Sequence, residues 1–220
     1  MIDTILEWSN LLLDPDWIMD NGGLYLVILI LFIETGFFFG FFLPGDPLLF
    51  ISGVLIASTR GSVEGLSEGI GSLLYWMALF IASTLVGYYV GYWFGKKFGR
   101  YLQKKGDTLL FKRKHIEMAE AFYNEKGGLA IIIARFLPIV RTFAPIVAGM
   151  VGMEMKKFSW YNAIGAFIWV ISITTLGYIL GNNPWVKSNL DYVVLGIVLL
   201  VTAPVVIKFF LEKKRPKKAS

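Results

Sequence analysis

The chain is 220 residues long, with 56% hydrophobic residues, 17% charged residues and no cysteine. Soluble domains carry about 25% charged residues, so this composition excludes a disordered chain, a disulfide framework and a zinc–thiolate site. The net charge of +5 makes nucleic acid a candidate partner until the basic residues are placed.

Residues 1–23 hold five acids and no base. Ile5, Leu6, Leu12 and Leu13 give them the pattern of an amphipathic surface segment. No basic n-region is present, so no cleaved signal peptide is expected. Residues 24–58 are apolar but contain Glu34 and the break Pro44-Gly45-Asp46-Pro47. Proline inside a helix removes a hydrogen bond and clashes with the preceding turn. In lipid such a break is tolerated only against protein or a wet cavity. The expected form is a re-entrant hairpin; a kinked full span, which would put the N-terminus inside, is the alternative.

Residues 73–95 carry no charge over 23 positions, and about 20 residues of helix cross a bilayer core. A transmembrane helix is predicted there. Residues 96–127 form a basic linker with an amphipathic, interfacial stretch through Phe111, Met118 and Phe122. His115, the single histidine, lies beside Lys112, Arg113 and Lys114 and reads as a solvated interfacial group. Residues 128–153 contain Arg135, Pro138, Arg141 and Pro145. Each flank of this second break is about 8–10 residues, or roughly 12–15 Å, which again predicts a re-entrant hairpin. Further transmembrane helices are predicted at 158–181 and 190–211, before a basic tail at 212–220.

The basic residues set orientation. Nine lie in 96–126, five in the tail, and Lys156 and Lys157 precede the 158–181 helix. The positive-inside rule puts these segments and the C-terminus in the cytoplasm. The basic excess is therefore juxtamembrane. It fits anionic lipid headgroups, and nucleic acid is not expected as a partner. Trp76, Trp93, Trp160 and Trp185 fall at the predicted interfaces, as an aromatic belt does.

The two hairpins resemble each other. Phe42-Leu43-Pro44 precedes Asp46, Pro47 and Ser52-Gly53-Val54. Phe136-Leu137-Pro138 precedes Arg141, Pro145 and Ala148-Gly149-Met150. Each hairpin leads to a helix containing Gly-Tyr-x-x-Gly, at Gly87-Tyr88 to Gly91 and Gly177-Tyr178 to Gly181. With opposite entry sides this is an inverted repeat, an architecture of transporters whose site lies where the broken helices meet. Gly87, Gly91 and Gly95 read as a small-residue packing face. The predicted fold is an all-α integral membrane protein with two opposed re-entrant hairpins and about three full transmembrane helices.

Glu34, Asp46, Arg135 and Arg141 are the charges placed within the membrane. Exposed to lipid and unpaired, four such charges would cost on the order of 10 kcal/mol, comparable to a whole domain's stability. They must face each other, water or a ligand. The acids lie on one hairpin and the arginines on the other, so meeting tips would form acid–arginine pairs. A guanidinium grips phosphate oxygens bidentately and keeps its charge when buried. A carboxylate's proton affinity depends on burial and on a neighbouring cation. An anion on the arginines can thereby control a proton on the acids.

Glu34-Thr-Gly, Phe42-Leu-Pro-Gly-Asp46-Pro and Arg135-Phe-Leu-Pro-Ile-Val-Arg141-Thr-Phe-Ala-Pro145 resemble the DedA family (SNARE-associated/VTT domain) of bacterial inner-membrane proteins. The resemblance covers about residues 20–210. It implies two opposed re-entrant hairpins and lipid translocation driven by the proton motive force. Its bacterial members imply undecaprenyl phosphate as the lipid. It carries phosphate binding to Arg135 and Arg141 and proton coupling to Glu34 and Asp46. The hairpin breaks fall at Pro44, Gly45, Pro47, Pro138 and Pro145.

The expected function is a flippase for polyprenyl phosphate in the bacterial inner membrane, with Phe37 to Phe42 beside the isoprenoid tail. The alternative is a proton-coupled exporter of small cations or drugs on the same acids. An enzyme is not expected. A histidine-nucleophile phosphatase lacks its membrane histidines, an intramembrane aspartyl protease lacks a second aspartate, and no thiol exists. Neither cofactor nor metal is expected, and the sequence leaves a homo-oligomer open.

Overall fold

The computed structural model describes residues 13–37, 40, 43–58, 61–63, 69–104, 127–190, 192, 193 and 196, and the regular elements among them are all helices. The expectations for 1–12, for 105–126 with His115, for most of 190–211 and for the tail lie outside the described residues.

Helix α1, Pro15–Asp20, opens with proline at its first position and Asp14 as cap. The Asp14 carboxylate accepts from the Asp16 amide at 2.8 Å, satisfying a donor that the helix itself leaves unpaired. Gly22 and Gly23, with φ of 124° and 61°, turn the chain into α2, Leu24–Gly36. Helix α3, Gly45–Ala57, follows the break. Pro44 caps α3, and Pro47 sits in its first turn, where a missing N–H costs nothing.

Glu34 meets Gly45 where the two helices join. At the other end Gly61 touches both Leu24 and Ile56. Helices α2 and α3 therefore lie side by side as a hairpin. Each has 13 residues, about 20 Å, short of a bilayer core of about 30 Å.

Helix α4 runs from Ile70 to Lys104 over 35 residues. It extends past both ends of the predicted 73–95 span, so Lys96 and Lys97 belong to the helix rather than to a linker. Helices α5, Leu129–Ala134, and α6, Pro138–Met150, make the second pair. The flanks expected to be similar are instead 6 and 13 residues. The break lies at 135–137, ahead of Pro138. Pro145 stays inside α6, where it denies the carbonyl of Arg141 its helical partner and packs its ring towards Gly91. Helix α7, Met155–Leu180, matches the predicted 158–181 span closely, and α8 is Pro184–Ser188.

Both α4 and α7 are long and apolar enough to cross a membrane. Their outward faces expose Leu74, Val86, Ile171, Leu176 and Ile179. Trp93, Trp160 and Trp185 are exposed, whereas Trp76 is buried against protein. It is 6% exposed and donates its indole N–H to the Gly61 carbonyl at 2.8 Å.

Helix α4 packs most extensively on α6 and α2. Helix α7 packs most extensively on α3, then on α4 and α5, and α5 has α7 as its main partner. The first arm of each hairpin thus lies on its own long helix, and the second arm on the long helix of the other half. Small residues permit these approaches. A Cβ on Gly53 would overlap the Thr174 carbonyl, one on Gly177 the Phe50 carbonyl, and one on Gly95 the Ile146 carbonyl. In lipid, where apolar side chains gain little by leaving the solvent, such backbone contact is a main source of helix association.

Candidate functional site

The two breaks bring four charged side chains together. Glu34 lies in the last turn of α2 and Asp46 in the first turn of α3. Arg135 caps the end of α5, and Arg141 lies in the first turn of α6. All four are buried: Glu34 is 1% exposed, Asp46 6%, Arg135 1% and Arg141 4%.

Arg141 is the hub. Its Nη1 donates to Asp46 Oδ1 at 2.7 Å, and its Nη2 donates to Glu34 Oε1. The fork thus spans both acids of the other hairpin. Gly45 makes this possible, because a Cβ there would overlap the Glu34 carboxylate. Asp46 Oδ1 also accepts from the Trp169 indole at 2.7 Å. The Arg141 guanidinium lies 4.9 Å from the centre of the Trp169 ring, within cation–π range.

Arg135 differs from the expected pattern. Two acid–arginine pairs were expected at the meeting tips, yet both acids pair with Arg141 and neither pairs with Arg135. Arg135 follows the short helix α5, which packs on α7, so its side chain runs along α7 beside Gly165. There Nη2 donates to Asn162 Oδ1 at 2.5 Å. The guanidinium stacks on Tyr88 at 3.9 Å, with Trp169 at 5.9 Å. Its Nε and Nη1 have no hydrogen-bond partner among the described residues. The same holds for Arg141 Nε, Tyr88 Oη and Asn162 Nδ2.

Buried donors without acceptors cost about 1–3 kcal/mol each, so a concentration of them needs an explanation. All of these atoms except the phenol are donors only, and the phenol also donates. Against these five donors stands one unpartnered acceptor of the cluster, Glu34 Oε2, so acceptors are in short supply, and an oxyanion supplies them. Formal charges balance at two acids against two arginines.

Tyr88, Asn162 and Trp169 were not among the candidates from sequence. Tyr88 stands within the repeated Gly-Tyr-x-x-Gly motif, which marks the internal repeat and whose glycines read as a packing face. Asn162 is a polar interruption in an uncharged run, a signal that was available. Trp169 carries no local signal, since tryptophan in an apolar helix also faces lipid.

Comparison with known proteins gives a consistent assignment. The VTT domain matches residues 43–179. Protein DedA of Escherichia coli is 37% identical over 195 residues, covering 89% of this chain and 85% of that protein. An uncharacterized membrane protein of Mycobacterium tuberculosis is 34% identical over 202 residues, covering 89% and 85%. The inner membrane protein YghB of Escherichia coli is 31% identical over 179 residues, covering 81% and 77%. No solved structure matches.

Proposed function

The chain belongs to the VTT-domain (DedA) family of membrane proteins, and from its site we propose that it transports polyprenyl phosphate across the bacterial inner membrane with proton coupling. It is a transporter and not an enzyme in this reading. The observation that carries it is Arg135, a buried guanidinium with two unpartnered nitrogens beside the ion-paired Arg141. A phosphate headgroup on Arg135 and Arg141 supplies the missing acceptors bidentately. The isoprenoid tail stays in lipid, past the exposed apolar faces of the long helices.

The two short hairpins enter from opposite sides as re-entrant elements in this reading, and the C-terminus is cytoplasmic. Undecaprenyl phosphate is the lipid that the family resemblance favours. When phosphate takes Arg141 from Glu34 and Asp46, the acids are left without their cation, and a proton replaces it.

The test is lipid flipping in proteoliposomes containing undecaprenyl phosphate, with and without a pH gradient and with phospholipid as control. Arg141→Lys should lose most transport while the protein remains folded, because an ammonium replaces a planar fork. Transport unchanged in both Arg135→Ala and Arg141→Ala would sink the proposal.

A further inference from the structure

We infer that the two acids divide the work: Glu34 takes up the proton, while Asp46 stays ionised, held by Trp169. The inference rests on the anion-binding reading above and assigns its proton to one atom group.

The hydrogen bonds are unequal. Glu34 has one side-chain donor, Arg141 Nη2, and its Oε2 has no hydrogen-bond partner among the described residues. Asp46 has two donors on the same oxygen, Arg141 Nη1 and Trp169 Nε1, both at 2.7 Å. Once an anion draws Arg141 away, Asp46 keeps the indole N–H. Glu34 keeps no side-chain donor.

Helix position acts in the same direction. Glu34 lies in the last turn of α2, facing the negative end of that helix, whereas Asp46 lies in the first turn of α3, at the positive end. The first placement disfavours a carboxylate and the second favours one. The charged and titratable groups facing Glu34 are Asp46 from α3, Tyr88 from α4 and Arg141 from α6. Arg135, stacked on Tyr88, is the next charge. Asp16 and Asp20 of α1 precede the opposite end of α2.

Charge balance then needs a single proton. The four side chains amount to two cations and two anions. A singly charged headgroup adds one negative charge, and protonation of Glu34 removes one. The occupied site is neutral again, with both arginines and Asp46 charged. In a low-dielectric site a net charge is strongly disfavoured, so anion and proton bind together. Trp169 is a positioning residue here: it acts through Asp46.

The experiment is calorimetry of farnesyl phosphate binding to the purified protein, in buffers of different ionisation enthalpy, which reads protons taken up per ligand. Protons are counted with farnesyl sulfate, a fixed monoanion, because a phosphate monoester carries up to two charges near neutral pH and takes up a proton itself. Wild type should take up about one proton. Glu34→Gln should bind with none, because its cluster already carries the positive charge that the anion neutralises. Trp169→Phe leaves Asp46 as weakly held as Glu34, and the one proton should then divide between the two acids. Uptake kept in Glu34→Gln would overturn the inference.

Binding without uptake in wild type overturns this inference alone, whereas absence of binding overturns the anion-site reading beneath it. Infrared spectra of unmutated protein with ¹³C-labelled aspartate carboxyls assign the proton to one acid. A protonated-carboxyl band induced by ligand and unmoved by the label belongs to glutamate; a shifted band refutes the assignment.

Discussion

The two arginines should respond oppositely when each is replaced by methionine, a side chain of similar length without charge. Arg141→Met leaves Glu34 and Asp46 facing each other without their cation. Breaking a buried ion pair in this way costs about 3–5 kcal/mol. Arg135→Met removes two unpartnered buried nitrogens, worth about 2–6 kcal/mol at about 1–3 kcal/mol each. Against that it loses a charged hydrogen bond to Asn162, about 1.5–3 kcal/mol, and a desolvated stack on Tyr88, about 2 kcal/mol. These contributions cancel to within about 3 kcal/mol, and the buried charge itself no longer has to be desolvated. Arg135→Met should therefore be as stable as wild type or more so, yet bind no phosphate. Reversible unfolding in mixed micelles, followed by tryptophan fluorescence, measures the first quantity, and farnesyl phosphate calorimetry the second. Equal destabilisation by the two substitutions would refute the distinction between a paired and an unpaired arginine, and with it the anion site.

Two further outcomes follow from single contacts. Tyr88→Phe keeps the ring beneath Arg135 and removes a buried hydroxyl that has no partner among the described residues. Stability should change by less than about 1 kcal/mol, while phosphate affinity falls if the hydroxyl donates to the headgroup; calorimetry on the folded variant checks both. Gly177→Val places a branched side chain against the Phe50 carbonyl. It should destabilise by about 1–3 kcal/mol through overpacking, read in the same unfolding assay.

Charge scarcity made the site legible. In an apolar chain Glu34, Asp46, Arg135 and Arg141 stand out, and the structure brings all four into one cluster. The two long uncharged runs became α4 and α7, because lipid-length helices depend on composition more than on tertiary context. Pairing was not legible. Charge alone treats Arg135 and Arg141 alike, and only the unequal lengths of α5 and α6 send one to the acids and the other to Asn162. Prolines were legible as breaks only in part. Pro44 and Pro138 stand at helix starts, but Pro47 fits a first turn and Pro145 is carried within α6 against Gly91. The tightness of packing at that spot, which lets a helix tolerate a lost hydrogen bond, is not written locally in the sequence.

The exchanged packing of the hairpin arms explains why the cluster lies where it does. Helices α2, α4 and α6 form one body and α3, α5 and α7 another, judged by where they pack most closely. The backbone approaches at Gly36 with Gly87 and at Gly149 with Tyr92 lie within the first body, and those at Gly53 with Gly177 within the second. Between the bodies the contacts at the cluster are made by side chains. Each body carries its own acid, arginine and aromatic ring. Glu34, Arg141 and Tyr88 belong to the first, and Asp46, Arg135 and Trp169 to the second. The bonds Arg141 to Glu34, Arg135 to Asn162 and Trp169 to Asp46 are internal to a body. Among the described residues, those that cross include the Arg141–Asp46 ion pair, the contact of Glu34 with Gly45, and the stacking of each arginine on a ring of the other body. A headgroup bound to both arginines would bridge the seam and compete with the one ion pair that closes it. In the proposed transporter, binding and the relative position of the two bodies would thereby be linked through the same guanidinium, the coupling that alternating access about a midplane site requires.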